Sequence, residues 1–280
     1  MVGPSSGCSP EPMDSLEPKD KTEREVCVWL CRQPESDAPI PAPEWLTETE
    51  RQRLASLASP RVREFLTSRW LIRQALSAVC RGRAGPEQCR PVPGRPVASQ
   101  VPAGWRMSIS HSQGLAACAL SRQPLGVDLE PLQRRPGWQK VTRRWFTAGE
   151  QAWLLERDDP QAFLQAWTFK EAWLKATGRG IAGNLQTLDV ARDFVLAGDR
   201  TERGWQASSL AIDHFLVTVV YQASHTAVRP HFCQLAAPPG DFSLPPAKSR
   251  TINSKLAMHR AIRPAHLSSP HSTPPDPEAP

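Results

Sequence analysis

The chain has 280 residues, 40% of them hydrophobic, which is typical of a protein with a sizeable core and about two domains. It contains no run of about 18 apolar residues, and this excludes a membrane-spanning helix. The net charge of +6 permits a nucleic acid, a phosphorylated ligand or an acidic protein as partner, without choosing among them.

The first 24 residues are rich in Pro, Ser and Glu and have no apolar period, so we predict a disordered segment. They also lack the basic and apolar regions of a signal peptide. The seven cysteines form no Cys-x-x-Cys pair, which favours reduced thiols over a disulfide framework. We therefore expect a cytoplasmic protein.

Residues 25–125 are predicted to form an N-terminal half. It starts with a strand at 26–30 and continues with a helix that a Thr47–Glu50 capping box begins. A second helix, roughly 60–80, has an apolar stripe on one face. Its other face carries an arginine row that would ordinarily be solvated: Arg61, Arg63, Arg69 and Arg73. After a loop at 81–104, three β-like stretches separated by turn residues predict a meander: 107–111, 115–120 and 125–129.

Residues 126–235 are predicted to repeat this order loosely as a C-terminal half, with helices at 146–155 and 161–177 and late strands at 188–196 and 208–221. Two strand-plus-helix halves of similar size indicate an internally duplicated α+β protein. Residues 236–280 are Pro-rich, and we predict a disordered tail there.

The helix at 161–177 contains one residue that its pattern does not explain. Phe163, Trp167, Glu171 and Leu174 fall on one face, and Lys175 follows one turn later on the same side. A carboxylate in an apolar stripe must be paired, protonated or bound to a metal, because burying it bare costs several kcal/mol. An ordinary Glu171–Lys175 salt bridge would explain the spacing, but not why the pair interrupts the stripe.

Two further carboxylates, Asp128 and Glu130, lie at the end of a predicted strand. The two-residue period puts both on one face, and the preceding Gly126 allows another backbone or a ligand to approach closely. Alone, the pair is also compatible with a strand that runs into a polar loop. Together with Glu171 it would supply the hard oxygen ligands that Mg²⁺ prefers.

Four motifs in this sequence together resemble those of the 4′-phosphopantetheinyl transferases. The family's (I/V)G(I/V)D(I/V)E, WxxKEAxxK, N(I/L)SHS and GKP motifs are matched, respectively, at residues 125–130, 167–175, 108–112 and 94–96. Two positions depart from the family pattern, since Ser108 replaces the usual Asn and Arg95 the usual Lys. The resemblance spans about residues 26–223 and implies the surfactin-type architecture, a monomer with two pseudo-symmetric halves and a site between them.

The resemblance implies transfer of the phosphopantetheine arm of coenzyme A to a serine of a carrier protein, with release of 3′,5′-ADP. The acceptor would be a carrier of a fatty-acid, polyketide or peptide synthetase. By the same analogy Asp128, Glu130 and Glu171 would hold Mg²⁺ or Mn²⁺ against the pyrophosphate of coenzyme A.

Further roles follow from the same resemblance. Contacts to the substrate phosphates or adenine would come from Arg63, Arg69, Arg95, Ser110, His111 and Lys175. Lys170 would stabilise the leaving group, and Glu150 or Glu171 would be the general base. For Glu150 a helix-capping role is equally compatible, because Thr147 and Glu150 form a capping-box pattern of their own.

The alternative function is that of an arginine-rich nucleic-acid-binding protein, with the helix of Arg61 to Arg73 as its contact face. This function would predict a steep salt dependence of binding. The sequence contains no recognisable nucleic-acid motif, and aromatic residues do not interleave the arginines as single-strand binding would favour.

Overall fold

The computed structural model describes residues 26–35, 40–81, 83–92, 97–133, 137–180 and 184–264, and the statements below concern these ranges. The predictions for residues 1–24 and 265–280, and for Arg95 within its Gly94-Arg95-Pro96 motif, lie outside them.

The elements in chain order are β1 (Val26–Arg32), α1 (Glu48–Ala55), α2 (Ser59–Cys80), β2 (Arg90–Val92), β3 (Val97–Val101), β4 (Arg106–Ser112), β5 (Leu115–Ser121), β6 (Leu125–Pro131), α3 (Trp138–Trp145), α4 (Ala148–Arg157), α5 (Pro160–Ala176), β7 (Leu188–Ala191), β8 (Val195–Gly198), β9 (Trp205–Ile212), β10 (Phe215–Gln222), β11 (His231–Leu235), β12 (Ser249–Thr251) and β13 (Met258–Arg263). The predicted α+β class is confirmed. No helix in the described ranges is long and apolar enough to cross a membrane.

The strands form two sheets that pack face to face. The first has the order β12-β11-β1-β5-β4-β3-β2, and the second the order β6-β10-β9-β13-β8-β7. Alternate residues of β1 explain the layering, because Val26, Val28 and Leu30 contact the second sheet while Cys27 and Trp29 contact α2. With α5 on the outer face of the second sheet, the layers are α2, first sheet, second sheet and α5. The pseudo-two-fold relation between the halves stays a prediction.

Helix α5 has the ends that the sequence predicts. The side chain of Asp159 caps it by accepting a hydrogen bond from the Gln161 amide at 2.8 Å, and Pro160 is its first residue. At the other end, Gly178 has a positive φ of 72°, which suits glycine. Trp167 packs beside Phe163 and Phe146, as expected of a core residue.

The carboxyl-terminal boundary of the fold was predicted wrongly. Residues 236–264 are not a disordered tail, because β12 pairs with β11 and β13 inserts between β8 and β9. The Pro-rich stretch is held by side-chain donors to its carbonyls. Trp45 Nε1 donates to Phe242 O at 2.8 Å and Trp70 Nε1 to Ser243 O at 2.9 Å, while Phe242 itself is fully buried. Composition alone does not reveal such long-range anchors.

The halves also exchange strands. Strand β11, which belongs to the predicted C-terminal half at 126–235, joins the first sheet parallel to β1. The predicted loop at 81–104 contributes β2 and β3 to the same sheet, and the predicted strand at 208–221 is the hairpin β9–β10. The six described cysteines are free, as predicted.

Candidate functional site

The candidate site lies where β4, β6 and α5 meet. Because side chains alternate along β6, Val127 and Leu129 enter the core between the sheets, while residues 126, 128 and 130 face α5. Gly126 allows the close approach of α5, since a β-carbon there would overlap the carbonyl oxygen of Ala172 and the amide nitrogen of Ala176. The predicted role of this glycine in close backbone approach is thus confirmed.

Asp128 is the centre of a small polar cluster. Its Oδ1 lies 2.9 Å from Lys175 Nζ and accepts a hydrogen bond from Ser110 Oγ at 3.1 Å. Lys175 Nζ also donates to Ser110 Oγ at 3.1 Å and to Val127 O at 3.0 Å. The other oxygen of Asp128, Oδ2, is buried and has no hydrogen-bond partner. The cluster therefore already binds one cation and keeps an oxygen available for another.

Glu171 lies on the part of α5 directly over this cluster. One turn before it, Thr168 Oγ1 is 2.8 Å from Thr218 Oγ1, and Thr218 is the β10 neighbour of Asp128. One turn after it, Lys175 contacts Asp128 itself. Glu171 is therefore flanked along the helix by two residues that reach Asp128 or its neighbour, and Glu130 lies on the same face of β6.

The chemistry of this donor set fits Mg²⁺. Three carboxylates on facing elements, one with an unsatisfied buried oxygen, are hard ligands of the kind that this ion selects. The predicted three-ligand set is nevertheless not assembled, because no three Asp, Glu, His or Cys side chains in the described ranges are grouped closely enough to hold a metal. Instead, the ammonium group of Lys175 takes the cation position beside Asp128.

Strand β4 contributes residues from two faces. Ser108 and Ser110 face β6, and Ser108 Oγ accepts a hydrogen bond from the Val127 amide at 3.0 Å, so this hydroxyl joins the two strands. His111 points the other way and its Nδ1 pairs with Glu64 of α2. The structure thus brings Ser110 together with Asp128 and Lys175, but places His111 on the α2 side of the same strand.

Of the four arginines in the α2 row, Arg61 is exposed as we expected by default, but the other three are partly or fully buried. Arg73 is buried, forms a 2.6 Å ion pair with Glu50 and lies over the ring of Trp45. Arg69 is 3.7 Å from the same carboxylate and covers Phe65, while Arg63 is half-buried. The sequence could not show this, because Glu50 comes from a different helix.

These contacts shift the pKa values of Glu50 and Arg69. Burial acts to raise the pKa of Glu50, but the hydrogen bond and charge of Arg73 outweigh it and lower that pKa overall. Burial lowers the pKa of Arg69, and the charge of Glu50 opposes that shift. Glu50, which the sequence marked only as a capping residue, thus also forms ion pairs with two arginines.

Glu150 and Lys170 lie elsewhere, in an enclosed network that holds α4, α5 and β7 together. Their side chains are fully buried and form an ion pair of 2.6 Å. Glu150 also accepts hydrogen bonds from the amides of Thr147 and Val190, both at 2.8 Å, and Lys170 donates to Leu185 O. The capping-box alternative is therefore what the structure contains. The catalytic roles implied for these two residues are not supported by this geometry, because neither side chain reaches solvent.

The buried pair leads to a prediction about stability. Replacing Lys170 with methionine keeps the volume but leaves Glu150 as a buried charge without its cation. We expect the free energy of unfolding to fall by about 3–5 kcal/mol. Urea unfolding followed by circular dichroism measures this change, and Lys140→Met, at an exposed lysine of α3, is the control. A Lys170→Met protein as stable as the control would contradict the structural role.

Comparisons with known proteins agree with the motifs. Residues 124–220 match the model of the 4′-phosphopantetheinyl transferase superfamily, and residues 49–121 match the model of the 4′-phosphopantetheinyl transferase N-terminal domain. The chain belongs to the 4′-phosphopantetheinyl transferase superfamily. The two models in tandem, together with the relatives below, indicate similarity to the surfactin-type members.

Three relatives illustrate the similarity. The 4′-phosphopantetheinyl transferase HetI of Nostoc sp. is 39% identical over 92 residues, which are 31% of this chain and 38% of HetI. The 4′-phosphopantetheinyl transferase Sfp of Bacillus subtilis is 32% identical over 35% of this chain and 43% of Sfp. A holo-[acyl-carrier-protein] synthase of Chlorobium limicola is 36% identical over 25% of this chain and 61% of the synthase. The chain thus matches less than two thirds of the length of each relative.

Proposed function

We propose that this protein transfers the 4′-phosphopantetheine arm of coenzyme A to a serine hydroxyl of a carrier protein, in a Mg²⁺-dependent reaction that releases 3′,5′-ADP. The observation that carries the proposal is the cluster of Asp128, Ser110 and Lys175, with its unsatisfied carboxylate oxygen, at the positions of three family motifs. Cytoplasmic location and a monomeric state stay predictions.

In this proposal the metal ligands are Asp128, through its unpaired Oδ2, with Glu130 and Glu171. When bound, Mg²⁺ would neutralise the charge that develops on the pyrophosphate. Lys175 would contact a phosphate next to this metal, because its ammonium group already lies beside Asp128. Ser110 keeps both groups in position through its hydroxyl.

The reaction exchanges one bond to phosphorus for another. The oxygen of the carrier serine forms a bond to the phosphorus that bears the pantetheine arm, and the bond from that phosphorus to the bridging oxygen breaks, releasing 3′,5′-ADP. The serine proton must leave at the same time. Two residues were candidates for the general base, Glu150 and Glu171. Because Glu150 is enclosed in the core, we assign this role to Glu171.

The remaining substrate contacts are assigned to the α2 side. Arg63, Arg69 and His111 are proposed to meet the 3′-phosphate or adenine, together with Arg95. For His111 and Arg69 this requires partial release from Glu64 and Glu50, their present partners. A phosphate is a suitable replacement because it accepts charge-assisted hydrogen bonds as a carboxylate does.

The defining experiment mixes the purified protein with coenzyme A, Mg²⁺ and apo carrier proteins of the fatty-acid, polyketide and peptide-synthetase types. We expect at least one carrier to gain the mass of one phosphopantetheine arm on its serine, as measured by intact-protein mass spectrometry. A carrier with that serine replaced by alanine is the control. No mass gain on any carrier in the presence of Mg²⁺ would contradict the proposed function.

A second prediction concerns competition between Lys175 and the metal. Lys175→Met removes the cation that occupies Asp128 while conserving most of the side-chain volume. Without coenzyme A, we expect Mn²⁺ to bind roughly tenfold more tightly to this variant, because a like charge has been removed from the site. Transfer should nevertheless slow, since a phosphate contact is lost. Titration by electron paramagnetic resonance measures the Mn²⁺ affinity, with Lys140→Met as control, and an unchanged affinity would exclude the competition.

The nucleic-acid alternative receives no support from Arg69 and Arg73, two of the arginines in its proposed contact face. Arg73 is buried and Arg69 is mostly covered, and both lie against Glu50, so this part of α2 does not present a row of available arginines to a phosphate backbone.

A further inference from the structure

A second cleft, of about 990 Å³, lies at the other end of the strands that carry the candidate site. Ser110 is near the end of β4, whereas the cleft is lined by Trp105, just before β4 begins, and by Ser121, at the end of the antiparallel neighbour β5. The cleft is therefore separate from the cluster around Asp128, and no family motif within the described ranges contributes to its lining.

The floor of this cleft combines apolar and polar side chains. It is formed by the α2-facing side of two parallel strands, where Cys27 pairs with His231 and Trp29 with Cys233. The last turn of α2, including Ala78 and Val79, supplies one wall. The space exists because α2 ends there and leaves this part of the sheet uncovered.

The rim of the cleft is basic. Arg81, Arg83 and Arg122 line it, and none of the lining residues that the structure describes is Asp or Glu. Within the described ranges, Arg83 and Arg122 have no carboxylate partner, in contrast to Arg73, which pairs with Glu50. Arg81 and Arg83 follow the carboxyl end of α2 and would offset its partial negative charge. That explanation does not apply to Arg122, which comes from the β5–β6 connection.

Arg122 is held in place before any ligand arrives. Its Nη1 donates to Ala103 O at 2.9 Å, and its guanidinium lies 4.4 Å from the centre of the Trp105 ring. Gly104 leaves room for it, since a β-carbon there would come within 2.9 Å of Nη1. A preorganised guanidinium loses little conformational entropy when it binds a phosphate or carboxylate.

We propose that this cleft binds a small organic anion that combines a flat apolar ring with a phosphate or carboxylate group. The ring would lie on the apolar part of the floor, formed by Trp29 and Cys233, and the anionic group would contact Arg122 and Arg83. The volume is in the range of small-molecule sites, which are commonly apolar with a few placed polar groups. The inference does not depend on the proposed transferase function.

The test compares three probes: 1-naphthyl phosphate, neutral 1-naphthol and inorganic phosphate. We expect saturable one-to-one binding of 1-naphthyl phosphate by isothermal titration calorimetry. 1-Naphthol has only the ring and inorganic phosphate only the anionic group, so each should bind more weakly by about tenfold or more. The double variant Arg83→Gln/Arg122→Gln should weaken binding of 1-naphthyl phosphate by about tenfold or more, because charge-assisted contacts are lost. Both side chains are exposed, so the fold should survive.

Two further variants test whether 1-naphthyl phosphate binds in this cleft. Ala78→Trp narrows the cleft without changing a charge and should also weaken binding, whereas Arg53→Gln, at an exposed arginine of α1, should not. The proposal is overturned if 1-naphthyl phosphate does not bind, or if binding survives both cleft variants. Binding that is lost only in Arg69→Gln would place the probe on the α2 face near the candidate transferase site and would likewise overturn it.

Discussion

Replacing Asp128 with asparagine is expected to reduce phosphopantetheine transfer by a factor on the order of 10³ or more while the protein stays folded. The substitution preserves shape, and an oxygen remains to accept the hydrogen bond of Ser110. It removes the charge that pairs with Lys175 and that the proposed metal requires. The initial rate of holo-carrier formation, measured by mass spectrometry, and the melting temperature together separate catalysis from stability.

A matched control is available at the β9–β10 turn. Asp213 also forms an ion pair, with Arg32 at 2.6 Å, but the pair is exposed, and within the described residues no hydrogen bond or ion pair joins it to Asp128, Ser110 or Lys175. Exposed pairs of this kind contribute about 0–1 kcal/mol, so Asp213→Asn should leave transfer nearly unchanged. A near-normal rate for Asp128→Asn would remove this carboxylate from the mechanism and with it the centre of the proposed site.

A second large effect, on stability, is expected from Gly126→Ala. The added methyl group would overlap backbone atoms of α5, at Ala172 and Ala176, and a helix backbone cannot rotate away as a side chain can. We expect the free energy of unfolding to fall by about 3 kcal/mol or more. Transfer should fall as well, because the displaced helix carries Glu171 and Lys175.

Equilibrium urea unfolding measures this change, and Gly149→Ala is its control. A β-carbon at Gly149, within α4, meets no atom within 4 Å, so the substitution should be neutral or stabilise by about 0.5–1 kcal/mol through helix propensity. A Gly126→Ala protein of normal stability would show that α5 can withdraw from β6, and the geometry of the candidate site would then have to be reconsidered.

The parts of the fold that follow from local patterns were predictable. Helix α5 and its ends could be derived from Asp159, Pro160 and Gly178, since capping and helix termination depend on neighbouring residues. The shared face of Asp128 and Glu130 followed from the strand period. The grouping of these two with Glu171 stays a prediction, which started from a carboxylate that did not fit its apolar stripe.

Contacts between distant parts of the chain could not be predicted in this way. The sequence contains no periodic signal for the pairing of Arg73 with Glu50 or of Lys170 with Glu150. From the sequence alone, each of these charged residues is therefore interpreted as a solvent-exposed or a catalytic residue. The same limit applies to β13, whose partners precede it by about 50 residues or more. Spatial neighbours decided each of these roles.

The path of residues 231–264 ties the two sheets into one folding unit. The chain passes from the second sheet back to the first at β11, and then returns to the second at β13. Neither sheet can therefore be completed from one uninterrupted length of polypeptide. A recombinant fragment that ended at residue 235 would lack the strand between β8 and β9 and the cover over Trp45 and Trp70. We therefore expect the two halves to unfold in a single cooperative transition.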